Sequence, residues 1–330
     1  MKILKKSVGE AWTQSEQIAG LMEQLYAQDL AGSCTRIDMG LGADAYFVYE
    51  RIETMALARR AVAPGQRALI IDDFMKGGGT LRGMHDVPHL TSMSDRQRLA
   101  EKAGIQMFII LDFTEAMAQL EVDAFHAMLS QMHVRHLVCG HDFHYGRYGA
   151  GSPRTLMEQQ DFAISVIEPI TFDGVRISSS RIEQLIKEGE VEMASRLLGR
   201  FYFIRGKVAH GYQRGRRMRF PTANLQMDDA YLLPGKGVYA GSVEVEGKRW
   251  PAMINVGQNP TFANDALSIE ANIFDFEDNI YGMPVVFRFI RFIREEKRFD
   301  SGEELIWQLK SDREAVRALF ERHPQWLKED

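Results

Sequence analysis

Cysteine and long apolar runs are both scarce in this chain of 330 residues, and each scarcity excludes a class of protein. The two cysteines, Cys34 and Cys139, support neither a disulfide framework nor a cysteine-based zinc site. No apolar run approaches the roughly 20 residues that a membrane span requires. The first residues include lysines, but Glu10 and Glu16 stand where the apolar part of a signal peptide would lie. We therefore expect a cytoplasmic protein with no membrane partner.

A basic excess is also missing. The chain holds 40 Lys and Arg against 45 Asp and Glu, a net charge of −5, whereas nucleic-acid-binding proteins usually carry a basic excess. No nucleic acid is expected as a partner. The whole acidic excess lies in residues 1–200, which contain 21 basic and 26 acidic residues. Histidine is unevenly distributed too, because none of the nine precedes His85.

The residues that are abundant indicate two globular domains, the first of them α/β. Apolar residues make up 45% of the chain and charged residues 26%, as in an average soluble protein, and the length exceeds one ordinary hydrophobic core. In the first half, short apolar runs alternate with helical patterns, which predicts a doubly wound parallel sheet. The predicted strands are 68–71, 107–111, 136–139 and 164–167, and the predicted helices are 50–60, 94–103, 122–132 and 154–161.

Near residue 200 the pattern changes from helices to strands. Residues 180–198 follow the helical period, and the chain beyond Gly199 contains a hairpin pattern with a turn at Glu246-Gly247. Further strands are predicted at 268–276 and 285–293, and an amphipathic helix at about 301–320. The predicted organisation is an α/β domain over 1–187, a helical linker over 188–202, and a small antiparallel barrel with a C-terminal helix over 203–330.

The densest chemical signal is the run from Gly206 to Arg216, followed by Phe220 and then Pro-Thr-Ala-Asn at 221–224. Its three glycines let backbone amides approach phosphate oxygens, and the basic side chains beside them neutralise charge. The Thr222 hydroxyl and the Asn224 carbonyl are hard oxygen ligands that point the same way on an extended strand, which suits Mg²⁺ held against nucleotide phosphates. The glycines and arginines alone would equally fit an exposed turn. The sequence G-x-x-x-x-G-K-[ST] does not occur, so a P-loop kinase is excluded.

The complete run resembles riboflavin kinase, whose hallmark is a glycine-rich loop leading into Pro-Thr-Ala-Asn. The likeness continues in the family's order from 203 to about 320, through segments at 233–239, 255–262, 268–272 and 294–301. It implies a six-stranded Greek-key β-barrel that converts riboflavin to FMN with ATP and Mg²⁺.

The resemblance also implies a role for individual residues. Thr222 and Asn224 would hold Mg²⁺, Glu270 would be the general base on the terminal ribityl hydroxyl, and Arg294 would lie at the flavin. The residues that it assigns to the nucleotide are Gly206, Lys207, His210, Gly211, Arg214, Gly215, Arg216 and Pro221. Three positions depart from the family's usual residues, since Arg219 replaces glycine, Asn259 replaces arginine and Asn272 replaces histidine. None of them removes a proposed ligand or base.

Residues 35–187 resemble the FAD synthetase (FMN adenylyltransferase) domain that precedes this kinase in bacteria. The loop containing Asp142 and the segment containing Ser178 and Ser179 carry this likeness. That family, which has an α/β nucleotidyltransferase fold, relies on a His-x-Gly-His turn at the start of its first helix, where imidazoles stabilise charge on the ATP phosphates. The ungapped match here is 40–49, and it contains no histidine.

Several catalytic positions of the first domain are therefore degenerate. Tyr46 and Tyr49 replace the histidines, Val48 replaces the turn glycine, and Glu183 replaces an arginine. Removing one such donor typically costs ~10²–10³ in rate, so we expect a riboflavin kinase whose first domain has lost adenylyl transfer. Two alternatives stay open. One is a bifunctional enzyme that also converts FMN to FAD, with Arg181 in place of the lost arginine, and the other is a non-catalytic flavin- or nucleotide-binding regulatory protein.

Overall fold

The structure is a computed structural model. It describes the backbone of residues 2–7, 44–48, 67–71, 88–102, 107–112, 118–209, 220–258 and 267–328. Side chains are described within 88–102, 118–209, 220–257 and 267–328. Among these residues, no helix combines the length and apolarity needed to cross a membrane.

The first half contains the predicted parallel sheet. Its strands are β1 (Lys2–Ser7), β2 (Asp44–Val48), β3 (Arg67–Ile71), β4 (Met107–Asp112), β5 (His136–Gly140) and β6 (Ala163–Ile167). They lie in the order β1-β4-β2-β3-β5-β6, and every neighbouring pair is parallel. The four predicted strands are confirmed as β3 to β6, since short uninterrupted apolar runs are typical of strands in a parallel sheet.

Strands β1 and β2 were not predicted, and β2 corrects the resemblance. Residues Tyr46 and Val48, expected in a turn at the start of a helix, lie instead in a strand that pairs with β3 along its whole length. In the register of the sheet, Tyr46 is also paired with Met107 of β4. Aromatic and β-branched residues favour strands, which explains the difference. Tyr49 and the predicted helix 50–60 lie outside the described residues.

The described helices of the first half agree with the helical patterns. They are α1 (Met93–Lys102), α2 (Val122–Gln131) and α3 (Pro153–Glu158). α3 begins with Pro153 at its first position after the capping residue Ser152, a combination that favours helix starts. It is shorter than predicted because Gln159 is extended, and its side-chain oxygen accepts hydrogen bonds from the backbone amides of Asp161 and Phe162.

The helical stretch predicted at 180–198 forms two helices, α4 (Ser179–Lys187) and α5 (Val191–Leu198). They follow a small hairpin of β7 (Thr171–Phe172) and β8 (Val175–Arg176). The break between the helices falls at Gly189, whose φ of +82° lies in the left-handed region.

The described chain packs as two compact units that divide after Thr171. The first contains the parallel sheet with α1 to α3, and the second contains α4, α5 and all that follows, together with residues 88–92. α4 packs with the second unit because Gly235 donates its amide hydrogen to the Ile186 carbonyl at the end of α4. The boundaries at 187 and 203 stay a prediction for the functional domains.

The second unit contains a closed barrel of six antiparallel strands, as predicted. The strands are β9 (Tyr202–Ala209), β10 (Ala223–Met227), β11 (Gly237–Val245), β12 (Lys248–Gln258), β13 (Leu267–Ile273) and β14 (Pro284–Arg294). Around the barrel they follow the order β10-β13-β12-β11-β14-β9. Glu246 and Gly247 both have positive φ and join β11 to β12 in a two-residue hairpin, the turn that the sequence predicts.

A C-terminal helix, α6 (Gly302–Arg322), packs against one face of the barrel. Its start is fixed by Ser301, whose hydroxyl accepts a hydrogen bond from the Glu304 amide at 3.1 Å. Val316, Leu319 and Phe320 of α6 are buried against apolar residues of the strands. This apolar face holds α6 against β11, β12 and β14.

Candidate functional site

The barrel brings the two predicted metal ligands to the predicted base. β10 pairs with β13 in a register that sets Asn224 opposite Glu270, so their side chains lie on the same face. Thr222 donates a hydrogen bond from its Oγ1 to the Oε2 of Glu270 at 3.2 Å. The three oxygen-bearing side chains thus form one site, although 48 residues separate Thr222 from Glu270.

A cleft with a volume of about 330 Å³ opens beside these residues. Part of its wall is the segment from Pro221 to Asn224, together with Val208, Ala271 and Ile273 from neighbouring strands. The other part is the turn at 276–281, which we call the cleft turn. The residues of the cleft turn are Phe276, Glu277, Asp278, Asn279, Ile280 and Tyr281. The cleft turn gives the cleft aromatic and apolar surface, and Thr222 and Asn224 give it oxygen atoms that can bind a cation. A small polar ligand with a flat ring requires surfaces of both kinds.

Negative charge is concentrated at the cleft. Glu277 and Asp278 line it, and Glu270 touches its wall through Thr222. No Lys or Arg lines the cleft among residues 220–257 and 267–328. A nucleotide phosphate beside the Glu270 carboxylate would need a cation between them, and hydroxyl, amide and carboxylate oxygens are the ligands that Mg²⁺ prefers. The residues present therefore fit Mg²⁺.

The glycine-rich run begins inside the barrel. Gly206 lies in β9, where a Cβ atom would come within 2.1 Å of the Gln226 carbonyl oxygen, so close packing of strands accounts for this glycine. Lys207 is exposed on the same strand. The rest of the predicted nucleotide loop, His210, Gly211, Arg214, Gly215 and Arg216, lies outside the described residues, as do Arg219 and Asn259.

Arg294, predicted to contact the flavin, is anchored to α6. Its guanidinium donates hydrogen bonds to both carboxylate oxygens of Asp312, at 2.7 Å from Nη2 and 2.9 Å from Nε to Oδ2 and 3.2 Å from Nε to Oδ1. A further bond reaches the Glu295 carbonyl at 2.8 Å. Asp312 also accepts a hydrogen bond from Gln308, so the end of β14 is fixed to the helix. The role of Arg294 at a flavin stays a prediction.

In the first unit, the loop that carries Asp142 is held by aromatic packing. Phe143 and Tyr145 are buried, with stacked rings whose centroids lie 5.5 Å apart. His126 and the Tyr145 hydroxyl share a hydrogen bond of 2.7 Å, and burial raises the pKa of Tyr145. Asp142 itself is exposed at the tip of this loop.

The predicted serines and Glu183 lie at the start of α4. Ser178 is the capping residue, and its hydroxyl accepts a hydrogen bond from the Arg181 amide at 3.3 Å. Ser179 is the first residue of the helix, and Glu183 lies within its second turn, partly exposed. The Ser178 hydroxyl thus has a structural partner of its own.

Sequence patterns did not identify the cleft turn or the role of Asn272. Glu277, Asp278 and Asn279 were recognised only as a break between two strands. Asn272 was noted as a departure from histidine, whereas its side chain reaches the Pro221 carbonyl at 2.8 Å. One sequence signal could have indicated this contact. Asn272 lies two residues after Glu270, so both side chains lie on the face of the strand that is directed at the Pro-Thr segment.

Comparisons with known proteins match both halves of the chain. Residues 198–320 match the riboflavin kinase family, and residues 79–181 match the FAD synthetase family. The bifunctional riboflavin kinase/FMN adenylyltransferase of Listeria monocytogenes is 38% identical over 238 residues, which are 71% of this chain and 76% of the relative. The Bacillus subtilis protein of the same name is 36% identical over 235 residues, 69% of this chain and 74% of the relative.

A solved structure has a similar fold. A crystal structure of a macrolide-efflux protein from Streptococcus pneumoniae matches with a TM-score of 0.71 at 29% sequence identity. The match covers 85% of this chain and 96% of that one. Together with the family matches, this confirms the predicted combination of a nucleotidyltransferase-like region and a kinase barrel.

Proposed function

Because this chain belongs to the bifunctional riboflavin kinase/FMN adenylyltransferase family, we propose that its barrel transfers the γ-phosphate of ATP to the 5′-hydroxyl of riboflavin. The products are FMN and ADP. The observation that carries the proposal is the cluster of Thr222, Asn224 and Glu270 at the wall of the cleft. Its oxygen donors and carboxylate are the groups that phosphoryl transfer requires.

Each residue of this cluster acts through a particular atom. The Thr222 hydroxyl and the Asn224 carbonyl oxygen would hold Mg²⁺, which would supply positive charge against the phosphates. Glu270 accepts the proton of the ribityl hydroxyl as that oxygen bonds to the γ-phosphorus and the bond to the β-phosphate oxygen breaks. The cleft turn, with Phe276 and Tyr281, supplies surface for the nucleotide base.

The kinase is tested by incubating the full chain with riboflavin, Mg²⁺ and ATP labelled in the γ-phosphate. We expect the label to appear in FMN in proportion to the FMN formed. Labelled inorganic phosphate without FMN would contradict the proposal, because the cleft would then be hydrolysing ATP rather than using the flavin hydroxyl. Unchanged riboflavin and ATP would instead support the non-catalytic regulatory protein.

We also infer that the first half does not transfer the adenylyl group. The match to FAD synthetase begins at residue 79, after the 40–49 segment, and no histidine precedes His85. Without imidazoles, this segment lacks the donors that would stabilise charge on the ATP phosphates. Glu183 adds a negative charge where the family carries an arginine.

A bifunctional enzyme is the second candidate, favoured by the names of the relatives and by the match over 79–181. Incubation of the chain with FMN and MgATP separates the two candidates, since only an active adenylyltransferase releases pyrophosphate and FAD. We expect neither product. We also expect Tyr46→His combined with Tyr49→His to leave the result unchanged, because Glu183 would still repel the triphosphate.

A further inference from the structure

The antiparallel ladder between β10 and β13 ends just before the proposed metal ligand Thr222. Its two pairs are Asn224 with Glu270 and Ala223 with Ala271. The next pair in this register would be Thr222 with Asn272, but the ladder does not include it. Pro221 has no amide hydrogen to donate to a ladder. The segment that carries Thr222 therefore needs another link to β13.

The Asn272 side chain supplies this link. Its Nδ2 donates a hydrogen bond to the Pro221 carbonyl at 2.8 Å. Asn272 is only 4% exposed, so the bond is shielded from water. Two residues earlier on β13, Glu270 receives the Thr222 hydrogen bond at 3.2 Å. Adjacent residues Pro221 and Thr222 are thus tied to the same strand by two side chains on the same face.

The orientation of the amide follows from these contacts. Only Nδ2 can donate a hydrogen bond to a carbonyl oxygen, and Oδ1 is buried with no partner among the described residues. Reversing the amide would place two oxygens against each other. Because no described residue donates a hydrogen bond to Oδ1, the bond from Nδ2 to the Pro221 carbonyl is the one that fixes the buried amide.

We propose that Asn272 is a positioning residue, which fixes the Pro221 carbonyl and thereby aims the Thr222 hydroxyl at the Mg²⁺ and phosphate beside Glu270. This inference rests on the proposed kinase function. Asn272 does not itself contact substrate, and it acts on the site through the Pro221–Thr222 backbone. Small displacements of positioning groups have large effects on phosphoryl transfer, because the reaction depends on alignment.

The test compares two substitutions at Asn272. In Asn272→Asp, a carboxylate oxygen of the same size replaces the donor and repels the Pro221 carbonyl. In Asn272→His, an imidazole N–H can restore the donation. We expect Asn272→Asp to weaken MgADP binding, measured by calorimetry without riboflavin, by roughly 10-fold, and Asn272→His to bind within a few-fold of the native protein. ADP without Mg²⁺ should be affected much less.

A double-mutant cycle with Thr222→Ala tests whether Asn272 acts through Thr222. If it does, Asn272→Asp weakens MgADP binding little further in the Thr222→Ala background, because the hydroxyl that it positions is already gone. Equal losses of affinity in both backgrounds would overturn the proposal. Ser242→Ala, which alters a buried polar side chain on β11, is the control and should leave MgADP affinity unchanged.

Other outcomes separate a failure of the positioning role from a failure of the kinase proposal. If Asn272→Asp does not fold, the MgADP affinity of Asn272→His is the test. An Asn272→His affinity as low as that of Thr222→Ala would overturn the proposal. A native protein that binds MgADP but forms no FMN would contradict the kinase proposal and leave the positioning role supported by the binding cycle. A native protein that forms FMN while Asn272→Asp binds MgADP normally would overturn the positioning role alone.

Discussion

At the scale of single residues, the proposed kinase depends on one carboxylate. Glu270 stands opposite Asn224 and accepts the Thr222 hydrogen bond, so its carboxylate oxygens lie beside both proposed metal ligands. A general base in this place is expected to contribute ~10²–10⁴ in rate.

We therefore predict that Glu270→Gln lowers the rate of FMN formation by ~10²–10⁴ while the barrel stays folded. The amide keeps the size of the side chain but cannot accept the ribityl proton. Initial rates with saturating riboflavin and MgATP measure the effect, with Glu246→Gln, in the exposed hairpin turn, as the matched control. Full activity of Glu270→Gln would show that another group takes the proton.

A second residue-scale prediction concerns stability at low pH. Burial alone would raise the pKa of Glu244, but the Arg288 and Arg249 guanidiniums outweigh it and hold this pKa below its usual value of 4.5. Arg288 lies 2.7 Å from the carboxylate. Because the folded pKa is depressed, this stabilisation is present above about pH 4.5 and is lost as pH falls through the folded pKa.

Glu244→Gln should therefore lower the free energy of unfolding by about 2 kcal/mol at pH 7. The difference from the native protein should shrink below about pH 4.5. Denaturant titrations at several pH values measure it. A difference that is independent of pH would mean that packing, and not the ion pairs, accounts for the loss.

At the scale of elements, strands with uniform apolar runs could be predicted from sequence. Strands that depend on pairing with a distant strand could not. β5 and β6 begin and end within one or two residues of their predicted limits. β1 contains three lysines in six residues, and its parallel pairing with β4 is a long-range contact that local composition does not reveal.

The break between α4 and α5 depends on the backbone conformation of Gly189. Gly189 has φ of +82°, and a Cβ there would lie 3.1 Å from the Tyr239 hydroxyl oxygen. That hydroxyl donates a hydrogen bond to the Gly235 carbonyl, so it cannot move freely. Gly174 offers a matched control, because its φ is +76° but nothing lies within 4 Å of an added Cβ.

We expect Gly189→Ala to destabilise the second unit by about 2 kcal/mol, from backbone strain and the close contact together. Gly174→Ala should cost about 1 kcal/mol, from backbone strain alone. Thermal unfolding of the two variants measures the difference. Equal shifts in Tm would show that the Tyr239 contact adds nothing.

At the scale of the whole molecule, sequence reasoning predicted the site residues at β10 and β13 but not the rest of the cleft wall. The spacing of Thr222 and Asn224 indicates a shared face, and the family resemblance adds Glu270. The cleft turn and the Asn272 contact depend on how distant strands meet in the barrel, which no local pattern specifies. The resemblance also placed Tyr46 and Val48 in a turn, where the sheet instead contains β2.

The residues with proposed chemical roles are distributed unequally between the two units. The proposed phosphoryl-transfer groups all lie in the second unit, while the first 84 residues of the chain contain no histidine. We therefore propose that the chain makes FMN but does not convert it to FAD.

One chromatographic measurement tests this claim most directly. The full chain is incubated with riboflavin and excess MgATP, and the flavins are separated over a time course that extends well beyond complete conversion. We predict that riboflavin is replaced by FMN and that no FAD follows it. Accumulation of FAD after FMN would contradict the loss of adenylyl transfer, and riboflavin that stays unchanged would contradict the kinase itself.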